Sequence, residues 1–161
     1  MELQETCCTP DPSEEGFTTD RFVNFQAFKA NLLDIGAWLP SAAPVMHTMR
    51  LILDGYHEEE PQEIQDAWIL GAAQWILWNG QLLFKLILYP GDIWDKSNLK
   101  DRVPAESDNP DWIDRLTLGK WHVWRQKFVE ASTSKNHGRE CKDVALRAAE
   151  MMTSIEKGML F

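Results

Sequence analysis

Hydrophobic residues recur every three or four positions along most of this chain, which is the period of an amphipathic helix. No segment alternates apolar and polar residues with the period of two that a half-buried strand requires. The first helix is predicted from a cap at Asp20 to about Gly36. Its apolar stripe consists of Phe22, Phe25, Phe28, Leu32 and Ile35.

Two more helices are predicted between residues 41 and 89. The second begins at Ser41 and Pro44 and ends at Asp54-Gly55, a turn sequence. The third begins at Pro61, because proline is favoured at the first helical position, and runs to Tyr89.

The third predicted helix is the longest and the most apolar. Its stripe keeps a constant phase, which favours one continuous helix over two helices separated at Asn79-Gly80, although both versions stay open. Apolar groups on several faces predict that the other helices surround it. The stripe consists of Trp68, Ala72, Trp75, Asn79, Leu82, Leu83 and Leu86.

A long loop and two further helices are predicted after Pro90-Gly91. The fourth helix spans about residues 111–132, either continuous or restarted with Thr117 as its cap. The fifth follows the turn at residues 135–138 and ends before Gly158. The predicted fold class is therefore all-α: a single compact bundle of about five helices around a long central Trp-rich helix.

Charge separates a short N-terminal tail from the rest of the chain. The net charge is −9, of which residues 1–20 carry −6 with no Lys or Arg, leaving −3 for residues 21–161. Residues 1–18 are predicted to be a flexible acidic tail and residues 19–161 a single helical domain. Because phosphate binding needs clustered Lys and Arg, the pattern argues against a nucleic-acid partner.

The segment Trp68–Tyr89 is long and apolar enough to resemble a membrane span. Its polar residues would be costly in hydrocarbon, so the sequence predicts a buried helix and no membrane span. They are Gln74, Asn79, Gln81 and Lys85.

The cysteine pattern predicts neither a disulfide framework nor a metal site. Only Cys7, Cys8 and Cys141 are present, and no zinc-binding spacing such as C-x-x-C or H-E-x-x-H occurs. The first residues lack the basic and apolar regions of a secretion signal, which favours the cytoplasm as location.

Tryptophan is the unusual feature of the composition, with eight residues in 161. A single indole is expected to fill core space, but a set of such wide rings readily lines a cavity for an apolar ligand. We expect Trp75, Trp121 and Trp124 to face one cavity, with Trp78 and Tyr56 as further substrate-binding residues.

Three polar residues are the candidate catalytic groups. Asn79 lies within an apolar stripe, so its amide is expected to point inward and to bond either a structural partner or a ligand carbonyl or hydroxyl. His47 and His122 fall on predicted helices as candidate acid-base groups. No nucleotide-binding or nucleophile motif is present, so no cofactor and no metal are predicted.

Four segments resemble a family of small all-helical fungal proteins of unknown function. They are Ala73–Phe84, Trp121–Phe128, Phe25–Ala30 and Ala148–Met152. Some members resemble products of secondary-metabolite gene clusters, and the resemblance thus implies a small apolar substrate. The family implies no general set of catalytic residues.

The predicted function is a cofactor-independent small-molecule enzyme of fungal specialised metabolism. A cyclase or pericyclase of the Diels-Alderase kind, or an isomerase, needs little from side chains if a Trp-lined pocket folds an apolar substrate with its reacting ends together. The alternative is a non-catalytic helical adaptor that binds another protein through an aromatic surface. Whether the chain forms a homodimer stays open.

Overall fold

The computed structural model describes residues 10–13, 15–16, 18–34, 43–55, 57–89 and 116–160. Within these ranges the structure contains α-helices and no strand, so the all-α prediction is confirmed. The helices are α1 (Thr19–Asp34), α2 (Ala43–Leu53), α3 (Gln62–Leu88), α4 (Leu118–Thr133) and α5 (Arg139–Met159).

The central helix α3 is continuous, as the constant phase of its stripe predicted. Its 27 residues give a length of about 40 Å. Pro61 stands at the N-cap, and the backbone N–H of Tyr89 still donates to the Lys85 carbonyl at the other end. Since α3 contacts each of the other four helices, it forms the centre of the bundle.

Two glycines allow close contacts on opposite sides of α3. A Cβ at Gly71 would lie 2.6 Å from Cε1 of Phe22 on α1, and a Cβ at Gly80 would lie 2.7 Å from Cδ1 of Ile155 on α5. Gly71 and Gly80 are nine residues apart, which corresponds to a rotation of about 900° around the helix axis, or two and a half turns. Helices α1 and α5 therefore pack against opposite faces of α3.

Helices α1, α3 and α5 run in the same direction. Trp75 Nε1 donates to Gln26 Oε1 over 3.1 Å, and Asn79 Nδ2 donates to the Ala30 carbonyl over 2.7 Å. Residue numbers therefore increase in the same direction along α1 and α3. On the other face, Asp66 bonds to the residue preceding α5 and Gly80 lies near Ile155. Helices α2 and α4 are the connecting elements between them.

Helix α4 is attached to the end of α2 by two lysines. The Lys127 ammonium group donates to the carbonyl of Leu53, the last residue of α2. Lys120 Nζ lies 3.4 Å from a carboxylate oxygen of Asp54. These contacts close the side of the bundle on which α2 and α4 face each other.

Threonine side chains, and not Asp20, cap two of the helices. Thr18 Oγ1 accepts from the Arg21 N–H over 3.2 Å, which places Asp20 inside the first turn of α1. Thr117 Oγ1 accepts from the Lys120 N–H over 3.2 Å, and α4 begins directly after it. The predicted helix start with Thr117 as its cap is thus observed, while residues 111–115, which would precede it, lie outside the described residues.

Two other local predictions are wrong. Phe28 is 56 % exposed, because the buried face of α1 runs through Phe22, Gln26 and Ala30. Gln26 occupies an inward position because its oxygen accepts the buried Trp75 N–H. Helix α5 continues through Gly158 to Met159, since a glycine without a close neighbour does not by itself end a helix.

Most of the predicted tail at residues 1–18 and the predicted loop at residues 90–110 lie outside the described residues. In the part of the chain that is described, no helix combines the length and the apolarity needed to cross a membrane.

Candidate functional site

A cavity of about 710 Å³ lies between the C-terminal halves of α3 and α5. Two of the predicted site residues, Trp78 and Asn79, line it. Trp78 is 52 % exposed, so its indole is available to a ligand at the rim. The other lining residues are Ile76, Leu77, Gly80, Gln81, Leu82, Lys85, Met151, Ser154, Ile155, Gly158 and Met159.

Asn79, one of the residues that line this cavity, carries an unpaired side-chain acceptor. Its side chain is inward-facing as predicted, with 2 % exposure, and Nδ2 donates to the Ala30 carbonyl on α1. Oδ1 has no hydrogen-bond partner among the described residues. A buried acceptor without a partner costs about 1–3 kcal/mol, so a ligand donor at this position would be favoured. Because Oδ1 can only accept a hydrogen bond, the matching ligand group is a hydroxyl or N–H.

The three indoles expected to share a cavity are fully buried, each with 0 % exposure. Trp75 packs toward α1 through its bond to Gln26, whereas Trp121 meets Phe84 edge-on with centroids 5.1 Å apart. Nε1 of Trp121 and Nε1 of Trp124 have no partner within the described ranges. None of the three indoles lines the cavity between α3 and α5, and their role in binding stays a prediction.

His122 forms part of a surface ion-pair group between α4 and α5. Its Nε2 lies 2.8 Å from Glu156 Oε1, and Arg125 Nη1 donates to Glu156 Oε2 over 3.2 Å. The His122 side chain is 41 % exposed and does not line the cavity between α3 and α5. His47 lies on α2 as predicted, but its side chain, like the whole of Tyr56, is outside the described residues.

A second cavity, of about 560 Å³, lies among α2, α3, α4 and the α4–α5 turn. On one wall His57 stacks on Trp68 with centroids 4.4 Å apart, and Trp68 Nε1 donates to Glu60 Oε2 over 2.7 Å. Its lining mixes apolar and polar residues: Ile52, Leu53, Gly55, His57, Glu58, Gln65, Trp68, Ile69, Lys127, Glu130, Ala131, Ser134, Asn136 and His137.

Beside this second cavity the structure brings Asp66, His137 and Cys141 together. His137 Nδ1–H donates to Asp66 Oδ1 over 2.7 Å, and the Gly138 N–H donates to Asp66 Oδ2 over 2.9 Å. The Cys141 thiol lies close enough to the Asp66 carboxylate to be affected by its negative charge. One potential ligand atom from each of the three side chains lies within 4.8 Å of the others.

The sequence interpretation missed this cluster. His137 lies in the turn that precedes α5 and Cys141 in the first turn of α5, so the two are four positions apart in the chain. Asp66 lies 71 residues before His137, and no local pattern connects the two. The His-x-x-x-Cys spacing was therefore the only available signal.

Burial raises the pKa of the Cys141 thiol well above its ordinary value, and the negative charge of Asp66 raises it further. Cys141 is 1 % exposed. The thiol is therefore protonated at neutral pH, and as such it is a poor nucleophile. This environment does not fit a cysteine-nucleophile mechanism.

A thiol-labelling experiment tests this assignment. In a Cys7→Ser/Cys8→Ser variant, where Cys141 is the remaining cysteine, we expect disulfide-exchange labelling in metal-free buffer at pH 8 to be at least about 100-fold slower in the folded than in the denatured protein. Equal rates in the two states would contradict the buried, protonated thiol.

Comparison with known proteins gives one result at the level of a family. The family described as protein of unknown function (DUF3632) matches residues 1–128. The search of the curated proteins and the search of the solved structures each found no match.

Proposed function

Since this chain belongs to the DUF3632 family, whose description assigns no activity, we propose a function from the geometry of the site. The protein binds a small, mostly apolar molecule in the cavity between α3 and α5. It then promotes an intramolecular cyclisation or isomerisation of that molecule without a cofactor. The observation that carries the proposal is that Asn79, one of the residues lining this cavity, has a buried Oδ1 without a partner among the described residues.

The size and lining of the cavity support an apolar ligand. A volume of about 710 Å³ lies within the range of about 300–1,000 Å³ that small-molecule sites have. Lys85 is the single charged residue among the described residues that line it, so no described lining residue compensates a ligand cation. The sequence resemblance implies a small apolar substrate, and a polyene-like or terpenoid alcohol of fungal specialised metabolism matches these properties.

The proposed catalysis depends on confinement. A flexible substrate that is held with its reacting ends together loses much of the entropic barrier to ring closure, a gain that reaches about 7–11 kcal/mol in well-oriented systems. The Asn79 acceptor would fix one end through a substrate hydroxyl, and the Trp78 indole would cover the apolar part. All substrate atoms stay in the product, so no redox partner or leaving group is needed.

Binding of matched alcohols and methyl ethers tests the proposal. We expect a terpenoid or polyene alcohol to bind about 5- to 10-fold more tightly than its own methyl ether, because only the alcohol can donate to Asn79 Oδ1 and a hydrogen bond contributes about 1 kcal/mol. Dissociation constants from tryptophan fluorescence and calorimetry measure the difference.

Variants at the cavity provide the control. Asn79→Leu should abolish the preference for the alcohol, and Trp78→Phe should weaken both ligands. Phe28→Leu changes an equally exposed aromatic residue on α1 that does not line the cavity, and it should leave both affinities unchanged. An alcohol preference that survives in a folded Asn79→Leu protein would refute the assigned hydrogen bond.

A helical adaptor is the second candidate function, and the exposed rim of the same cavity favours it. Trp78 and Met151 are 52 % and 38 % exposed, which is typical of residues that contact a protein partner. The adaptor would be favoured over the enzyme if the protein binds an amphipathic helical peptide and the Trp78→Phe variant does not. The protein would also have to bind none of the terpenoid and polyene alcohols tested.

A further inference from the structure

The cluster of Asp66, His137 and Cys141 has the chemistry of a transition-metal site. A carboxylate oxygen, an imidazole nitrogen and a thiol sulfur are the three donor types that zinc sites in proteins use. The sulfur favours Zn²⁺ over Mg²⁺ or Ca²⁺, which take oxygen ligands. A hydrogen-bonded cluster could also serve only to hold the start of α5 against α3, and the response of the protein to Co²⁺ and Zn²⁺ separates the two roles.

We propose that Asp66, His137 and Cys141 form a three-ligand binding site for Zn²⁺. The ligand atoms lie within 4.8 Å of one another, and a tetrahedral zinc site with bonds of about 2.0–2.3 Å holds its ligands about 3.3–3.8 Å apart. Side-chain rotation that moves these atoms by a fraction of an ångström to about 1 Å therefore suffices. On binding, the Cys141 thiol proton passes to solvent. The Nδ1 proton of His137 is also given up as the imidazole takes the form protonated on Nε2, and the metal replaces the Asp66–His137 hydrogen bond.

The backbone already orients one of the three ligands. The Gly138 N–H holds Asp66 Oδ2 over 2.9 Å, which is the outer-shell contact that ligating carboxylates require. A Cβ at Gly138 would lie 2.9 Å from the same oxygen, so a glycine here permits the close approach of the carboxylate. The ligands also belong to different elements, and a bound ion would connect α3 to the beginning of α5.

The site would have an open fourth position. Three protein ligands with a fourth position occupied by water are typical of catalytic zinc, whereas structural sites have four protein ligands. His137 also lines the cavity of about 560 Å³, so the ion would lie at the wall of a space large enough for a small molecule. A ligand with a carbonyl, hydroxyl or carboxylate oxygen is the class that such an ion would bind.

Cobalt substitution gives the direct test, because Co²⁺ occupies zinc sites and reports its ligands by absorption. In the 161-residue Cys7→Ser/Cys8→Ser protein, we expect one Co²⁺ per chain, with the visible bands of tetrahedral cobalt and a thiolate-to-cobalt band in the near ultraviolet. Zn²⁺ should displace the cobalt. If the folded protein gives no thiolate band with micromolar Co²⁺, the proposal is overturned. This result does not depend on whether variants of the three ligands fold.

The ligand variants identify the site. Asp66→Asn, His137→Gln and Cys141→Ser should each weaken Zn²⁺ binding by at least about 100-fold in competition with a chromophoric chelator. His122→Gln removes another histidine that is paired with a carboxylate, and it should leave the affinity unchanged. Unaltered Zn²⁺ affinity in a folded Cys141→Ser or His137→Gln protein would show that the cluster is a hydrogen-bonded contact only.

Discussion

Replacing Trp75 with phenylalanine is expected to lower the free energy of unfolding by about 3 kcal/mol, roughly twice the loss expected for Trp121→Phe. Both indoles have 0 % exposure, so the loss of buried volume is similar. The difference comes from Gln26, whose Oε1 accepts the Trp75 N–H and whose Nε2 has no partner among the described residues. Without Trp75, both polar atoms of Gln26 would be buried and unpaired, whereas the Trp121 N–H has no partner to lose within the described ranges.

A double-mutant cycle isolates this hydrogen bond. Gln26→Leu in the Trp75→Phe background removes the two unpaired polar atoms, and we expect it to restore about 1 kcal/mol. Urea denaturation with equal m-values for all variants measures the differences. Equal losses of unfolding free energy in Trp75→Phe and Trp121→Phe would contradict a buried Trp75–Gln26 pair. So would a Gln26→Leu substitution that has the same effect in the wild-type protein and in the Trp75→Phe variant.

Replacing Gly71 with alanine is expected to destabilise the protein by about 2 kcal/mol, although alanine favours helices by about 1 kcal/mol over glycine. The new methyl group would lie 2.6 Å from Cε1 of Phe22 and 3.2 Å from Cγ of Gln26. Phe22 is 2 % exposed and packs edge-on against Trp68 at 5.4 Å, so its ring cannot retreat. Helix α1 would have to move away from α3.

Two other helical glycines serve as matched controls for Gly71→Ala. At Gly80 the close atom is Cδ1 of Ile155, the end of a flexible side chain, so we expect Gly80→Ala to be nearly neutral. At Gly158 no atom lies within 4 Å, and Gly158→Ala should stabilise the helix by up to about 0.8 kcal/mol. Midpoints of thermal and urea unfolding should be lowest for Gly71→Ala, near the wild-type value for Gly80→Ala and highest for Gly158→Ala. A stabilising Gly71→Ala would contradict the close α1–α3 contact.

The periodicity of apolar residues was sufficient to predict the fold class and the existence of five helices, because packing against a core imposes that period on each helix. It predicted the continuity of α3 through Asn79-Gly80 for the same reason. The buried face of α1 was predicted less well, because Gln26 has a polar side chain and is nevertheless buried, with its oxygen bonded to the Trp75 N–H. A periodicity argument counts such a residue as exposed.

The candidate site was predictable only in part. The position of Asn79 within an apolar stripe predicted that its amide faces inward, and the neighbouring Trp78 lines the same cavity. Which atom of the amide is left unpaired depends on the Ala30 carbonyl, a partner on another helix that no local pattern specifies. The contacts of Asp66 with His137 and Cys141 depend on tertiary packing in the same way.

Charged side chains at its two ends give the central helix α3 an electrical axis. The first turn of α3 carries Glu63, and its last turn carries Lys85. These full charges outweigh the opposite partial charges, of about half a unit, at each helix end. Cations are therefore attracted to the end at which Asp66 lies, and electron-rich or anionic molecules to the end at which the cavity with Lys85 lies. Two ligands of opposite polarity could approach the same molecule from its two ends without competing.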